Sequence, residues 1–157
     1  MNPMDETILR VFTTCAAAYF ACVAGTPATV GTPFLHVDEA AEPADFTAVI
    51  GITGRRRGVV CFTAPRALLE ALLPALGESG QGEQLCADLA GEIANTISGN
   101  ARSELGAAFM ISVPVVISAP NAVPSFPRDS VRYVLPLAWQ GLRASLWVAL
   151  ETAEEAS

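Results

Sequence analysis

The sequence predicts an α+β domain, a mostly antiparallel sheet with helices packed on one face. Three observations lead to this. Runs of helical and strand periodicity follow one another in the order helix, strands, helix, helix, strands. Two pairs of β-rich runs are each joined by a short turn, which implies antiparallel hairpins. Hydrophobic residues make up 52% of the 157-residue chain and charged residues 16%, enough apolar side chains for one sizeable core. Residues 1–157 are therefore expected to form a single domain.

The first element runs from Asp5 to Ala24. Ile8, Leu9, Phe12, Cys15, Ala16, Tyr19, Phe20 and Val23 recur at three- and four-residue steps, as one buried helical face requires. Gly25 suits a helix C-terminus, and Pro27 prevents continuation. Phe34 to Val37 is expected as a short strand and Asp38 to Asp45 as a loop. Phe46 to Thr53 and Gly58 to Thr63 form a hairpin across Gly54-Arg55-Arg56-Arg57, whose arginines are expected to stand in water as an ordinary solvated turn. Ala64-Pro65 opens a helix running to Leu76 and frayed by Pro74.

A Gly-rich connector, Gly77 to Gly82, leads into the long helix Glu83 to Leu105. At about 100° per residue, Leu89, Ala90, Ile93, Ala94, Ile97, Ala101 and Leu105 gather on one side. Asp88, Glu92, Asn95, Gly99 and Arg102 gather on the other. Ile111 to Ser118, with Pro114 inside it, is expected as a strand and Ala119 to Asp129 as a proline-rich loop. Val131 to Trp139 and Leu142 to Leu150 form a terminal hairpin across Gln140-Gly141. There Pro136, lacking an N–H, points to an edge or a bulge. Residues 151–157 are expected to be a frayed tail.

Charge and cysteine content narrow the function. Nine Lys and Arg against sixteen Asp and Glu give a net charge of −7, a poor match for nucleic acid. The four cysteines, at 15, 22, 61 and 86, are scattered in apolar stretches, as expected of reduced thiols in a cytoplasmic protein. The apolar stretch Val11 to Val30 is interrupted by Thr13-Thr14 and Gly25-Thr26-Pro27, so it is expected to be a soluble helix and not a membrane span. A signal peptide would need a positive start, whereas Asp5 and Glu6 precede the single Arg10.

Conventional catalytic sets are hard to assemble. The single histidine, His36, has no evident orienting partner and is read as structural. No cysteine pair has the close spacing of a zinc ligand set, so no metal site is expected. Gly51-Ile52-Thr53-Gly54 and Gly77 to Gly82 lack the Lys-Ser/Thr ending of a phosphate-binding loop. What remains is the polar stripe of the long helix. Glu92 and Asn95, three apart, present a carboxylate and a carboxamide from neighbouring turns, with Asp88 a turn earlier. Taken alone, such a stripe is the ordinary solvated side of a helix.

The run Asp88-Leu89-Ala90-Gly91-Glu92-Ile93-Ala94-Asn95, followed by Ile97-Ser98-Gly99-Asn100-Ala101 and by Pro114, resembles the CheX branch of the CheC/CheX/FliY chemotaxis phosphatases. Gly51-Ile52-Thr53-Gly54, Arg57-Gly58 and Pro65 extend the likeness over most of the chain. The family's pattern is an Asp or Ser, a Glu four residues on, an Asn three later and a Pro further downstream. Eighteen residues separate Asn95 from Pro114, a slightly short interval that implies a trimmed turn after the helix and makes Pro120 the poorer match. A single Glu/Asn pair favours a CheX-like over a two-site CheC-like protein, since Leu9 follows Glu6 by three residues in the first helix.

The resemblance implies a CheC/CheX-like fold and a phosphatase acting on the aspartyl phosphate of a CheY-like response regulator. Asn95 would position the attacking water, and Glu92 would engage the partner's active-site lysine. Asp88, Gly99 and Arg102 would contact the partner along the helix. Gly99 is expected at a close backbone approach and Asn100 as hydrogen-bonded and partly buried. No cofactor is implied for this chain, because Mg²⁺ belongs to the regulator. A cytoplasmic homodimer joined through sheet edges is also implied. Two readings of a different class stay open: a module of the same shape that docks on a signalling protein without hydrolysis, and a structural part of a flagellar switch.

Overall fold

The computed structural model describes residues 3–35, 44–118 and 126–152. The chain begins with α1 (Pro3–Ala24), β1 (Thr29–Val30) and β2 (Phe34–Leu35), then β3 (Phe46–Gly54), β4 (Gly58–Ala64) and α2 (Arg66–Leu72). A 3₁₀ turn at Leu73–Leu76 leads to α3 (Glu83–Leu105), followed by β5 (Phe109–Ile111), β6 (Val115–Ser118), β7 (Ser130–Trp139) and β8 (Leu142–Glu151). One antiparallel sheet takes all eight strands in the order β1-β7-β8-β4-β3-β5, with β2 also on β7 and β6 also on β3. This is the α+β architecture read from the sequence.

Alternation decides the faces of the sheet. Ile50 and Ile52 of β3, Val60 and Phe62 of β4, Leu135 and Leu137 of β7, and Leu146 and Val148 of β8 all enter the main core. The helices supply the rest: Phe12, Ala16 and Phe20 from α1, Leu68 and Leu69 from α2, Ile93 and Ile97 from α3. On the opposite face a small cluster of Cys61, Val134 and Trp147 is covered by Phe126, whose ring stacks on Trp147 with centroids 5.6 Å apart. By length and composition α1 is apolar enough to cross a membrane. Its Phe12, Ala16 and Phe20 are nevertheless 0% exposed in the core, the placement of a core helix.

Several local expectations are corrected. Arg56 is not solvated: it is 8% exposed and donates to Asp5 Oδ1 (2.5 Å) and to the Glu151 carbonyl (2.9 Å). Tyr133 donates to the other Asp5 oxygen at 3.1 Å, so one buried carboxylate ties α1, the hairpin tip and β7 together. Arg55 and Arg57 are exposed, as expected. The second helix stops at Leu72, because Pro74 removes an N–H and tightens the next turn to 3₁₀ form. Glu151 and Thr152 are not frayed: their N–H groups donate to Arg57 O (2.8 Å) and Asp129 O (2.7 Å). Pro136 sits where its carbonyl faces the gap between β1 and β2 and accepts from Gly31 N (2.8 Å), so its missing N–H deprives β8 of nothing.

His36 and Val37, most of the 38–45 loop, and residues 119–125 and 153–157 lie outside the described residues. At the end of that first loop, Asp45 Oδ2 accepts from Arg66 N at 2.7 Å and satisfies a donor at the start of α2. Four free cysteines are found: Cys15, Cys61 and Cys86 buried, Cys22 exposed. Burial alone pushes the Cys61 thiol up to about 12.

Candidate functional site

Helix α3 lies against the sheet at β3 and β4 and against α1, so its apolar side is used up. Leu89, Ala90, Ile93, Ala94, Ile97 and Ala101 are buried. Asp88, Glu92, Asn95 and Arg102 face outward and are exposed. The 3.6-residue repeat thus places the stripe as the sequence indicates.

Asp88, Glu92 and Asn95 share one groove of about 630 Å³. Ala87 and Gly91 form its floor along the helix, and the opposing wall comes from Val113, Pro114, Val116 and Ser118. Among the described residues, neither the Glu92 nor the Asn95 side chain takes part in a hydrogen bond or ion pair, so both groups are available to a partner. Asp88 is held differently: its Oδ1 accepts from Gln84 Nε2 at 2.8 Å, one turn earlier. Gly99 and Arg102 continue the outward face beyond the groove and line no part of it.

The opposing wall was not legible as such. Ile111 to Ser118 is not one strand but two, both paired with β3, and Pro114 lies in neither. Ile52 faces Ile111 and Val49 faces Val115, so Ile50 and Gly51 lie opposite three residues, Ser112, Val113 and Pro114. This is a β-bulge with one extra residue. Ser112 fastens it, donating from N to Gly51 O (3.0 Å) and accepting from Gly51 N through Oγ (2.9 Å). The bulge pushes Val113 outward, where it is 80% exposed at the lip of the groove. A proline inside an apolar β-rich run was the available signal for it.

The close approach expected at Gly99 occurs instead at Gly91. A Cβ at Gly91 would stand 3.1 Å from Val116 Cγ2, whereas one at Gly99 would meet nothing within 4 Å. The missing side chain between Asp88 and Glu92 therefore lets β6 close on the helix and form the groove. Asn100, expected to be partly buried, is exposed. Tyr19 lies on the buried face of the first helix, as the sequence predicts, although the sequence does not connect it with Glu92. Tyr19 of α1 is 5% exposed and its hydroxyl has no partner among the described residues. Burial, and then the negative charge of Glu92, push that hydroxyl up to about 12.

Among the described residues no group of three or more His, Cys, Asp or Glu could hold a metal ion. The groove offers two exposed carboxylates, Asp88 and Glu92, and the exposed carboxamide of Asn95, facing an apolar lip.

Comparison with known proteins identifies the fold and the family. No curated protein matches the chain. Among solved structures, a CheC-like superfamily protein from Shewanella sp. PV-4 superposes with a TM-score of 0.83 at 23% identity, over 97% of this chain and 100% of that one. A chemotaxis protein CheX from Desulfovibrio desulfuricans gives 0.82 at 29% identity, over 92% and 99%. The CheX–CheY–BeF₃–Mg²⁺ complex from Borrelia burgdorferi gives 0.75 at 18% identity, over 92% and 98%, a likeness of fold. The family profile of chemotaxis phosphatase CheX matches residues 46–138, a segment that holds β3, β4, the whole of α3 and the bulged wall of the groove. The chain therefore belongs to the chemotaxis phosphatase CheX family.

Proposed function

We propose that this protein dephosphorylates the aspartyl phosphate of a CheY-like response regulator. The observation that carries the reading is the pairing of Glu92 and Asn95 on one groove wall, exposed and unengaged among the described residues. In the proposed step, Asn95 holds a water by its carboxamide in line with the phosphorus. The water oxygen bonds to phosphorus as the bond to the aspartyl oxygen breaks, releasing inorganic phosphate and restoring the regulator's carboxylate. Glu92 pairs with the regulator's lysine and fixes the approach. Mg²⁺ is carried by the regulator in this reading, which is supported by the presence of both CheY and Mg²⁺ in the Borrelia complex.

Asp88 adds polar contact within the groove, and Gly99 and Arg102 extend the contact along α3. Val113, at the lip, supplies apolar contact. The protein acts in the cytoplasm as a homodimer. Support for association comes from β6, which among the described residues pairs only with β3 and leaves Val115 and Ile117 exposed on an edge strand.

The test is to incubate the purified chain with a panel of phosphorylated response regulators and follow phosphate release. Acceleration over spontaneous loss with at least one regulator is expected. Binding without acceleration across the panel would leave a docking module in place of an enzyme.

A further inference from the structure

At the far end of β3 from the groove, a second cleft of about 540 Å³ opens beside the hairpin tip. The chain contains no lysine, and four of its nine arginines, Arg55, Arg56, Arg57 and Arg128, line this one cleft. Among the described residues, the carboxylates that line it with them are Asp129 and Glu151. Arg56 is already neutralised by Asp5, so Arg55, Arg57 and Arg128 face Asp129 and Glu151, which leaves the cleft net positive on a chain of net charge −7.

The arginines are also held for use. Arg55 N donates to Ala108 O (2.9 Å) and Arg57 O accepts from Glu151 N (2.8 Å), so the backbone on both sides of Arg56 is pinned. Arg56 is fixed through both terminal nitrogens, and its buried Nε has no partner among the described residues. Arg57 reaches Glu151 only at 3.9 Å and remains 71% exposed. The guanidinium groups of Arg55 and Arg128 have no ion-pair or hydrogen-bond partner among the described residues. Forked N–H donors on a fixed backbone are the arrangement that binds phosphoryl and carboxylate oxygens bidentately. The cleft volume falls within the range of small-ligand sites, about 300–1,000 Å³.

We propose that this cleft binds a small oxyanion carrying two or more negative charges, phosphoryl or carboxylate in kind. Arg55 and Arg128 are its principal anchors, on a turn that the buried Arg56–Asp5 pair holds in place. The site is separate from the Glu92/Asn95 groove and does not depend on the phosphatase reading.

The test is calorimetric titration of the full chain with pyrophosphate and, separately, with citrate, at low and at raised ionic strength. Saturable binding of at least one, at one site per chain and weakened by salt, is expected. The double variant R55Q/R128Q, at two exposed positions, should weaken it by about tenfold or more while leaving the denaturation midpoint unchanged. R143Q, an exposed arginine outside the cleft, should leave binding intact. Pyrophosphate alone binding would assign a phosphoryl ligand, and citrate alone a carboxylate. The proposal is overturned if neither anion binds, if R55Q/R128Q binds as the parent does, or if R143Q weakens binding as much as the double variant.

Discussion

Arg56 and Asp5, 51 residues apart in sequence, form a buried ion pair in which the guanidinium Nη1 lies 2.5 Å from a carboxylate oxygen. The pair anchors the start of α1 to the β3–β4 turn, and Tyr133 completes the satisfaction of Asp5. Removing one member leaves the other charged and buried. Asp5→Ala should therefore cost about 3–5 kcal/mol, measured by urea denaturation. Replacing both with apolar residues of similar size should cost clearly less, because no orphaned charge remains.

Asn95 and Leu89 lie on opposite sides of one helix, and their substitutions should separate activity from stability. Asn95→Ala is expected to lower phosphate release on the order of 10²-fold, the loss of one preorganised hydrogen-bonding group. Its denaturation midpoint should not move, since the residue is exposed. Leu89→Ala, at a position 3% exposed, should cost about 2–5 kcal/mol. Equal turnover by Asn95→Ala and the parent would remove Asn95 from the mechanism.

Gly91 sets the width of the groove. Gly91→Leu forces a side chain into the contact with Val116 and should cost about 1–3 kcal/mol by overpacking. Because β6 must move away from α3, turnover per unit of folded protein should fall as well. Denaturation and phosphate-release assays on the same preparation check both effects.

Tyr133 predicts an alkaline limit to stability. Burial first, then its hydrogen bond to Asp5 and the charge of Asp5, push its hydroxyl from 10.0 up to about 12. Above pH 10 the unfolded chain releases this proton while the folded chain keeps it, so the unfolded state binds fewer protons and stability falls as pH rises. The contribution is intact below pH 10 and is lost as pH rises toward about 12. Tyr19 titrates in the same direction. Tyr133→Phe should flatten this decline in melts recorded across that interval, while lowering stability at neutral pH through the lost bond to Asp5.

The main outline was legible because periodicity survives in single sequences. The helix over Glu83–Leu105, its buried and outward sides, the two hairpins and the antiparallel sheet all follow from three-to-four and two-residue repeats. The Glu92/Asn95 pair was legible for the same reason, with the family likeness adding its expected role. What escaped was set by long-range contact. Nothing near Arg56 in sequence shows that Asp5 will neutralise it, and a triplet of arginines at a turn ordinarily stays in water. Gly91 and Gly99 are both helical glycines, and only the arrival of Val116 distinguishes them. The break between β5 and β6 depends on the register each strand adopts against β3, which the run itself does not state.

The bulge at Ser112–Pro114 has a consequence for how this protein can change. Because β5 and β6 are each locked to β3 by their own pairing, the projecting valine belongs to neither ladder. Loss or gain of a residue at that spot alters the rim presented to a visitor while both ladders stay in step. The shape of that rim can drift without disturbing the packed core beneath.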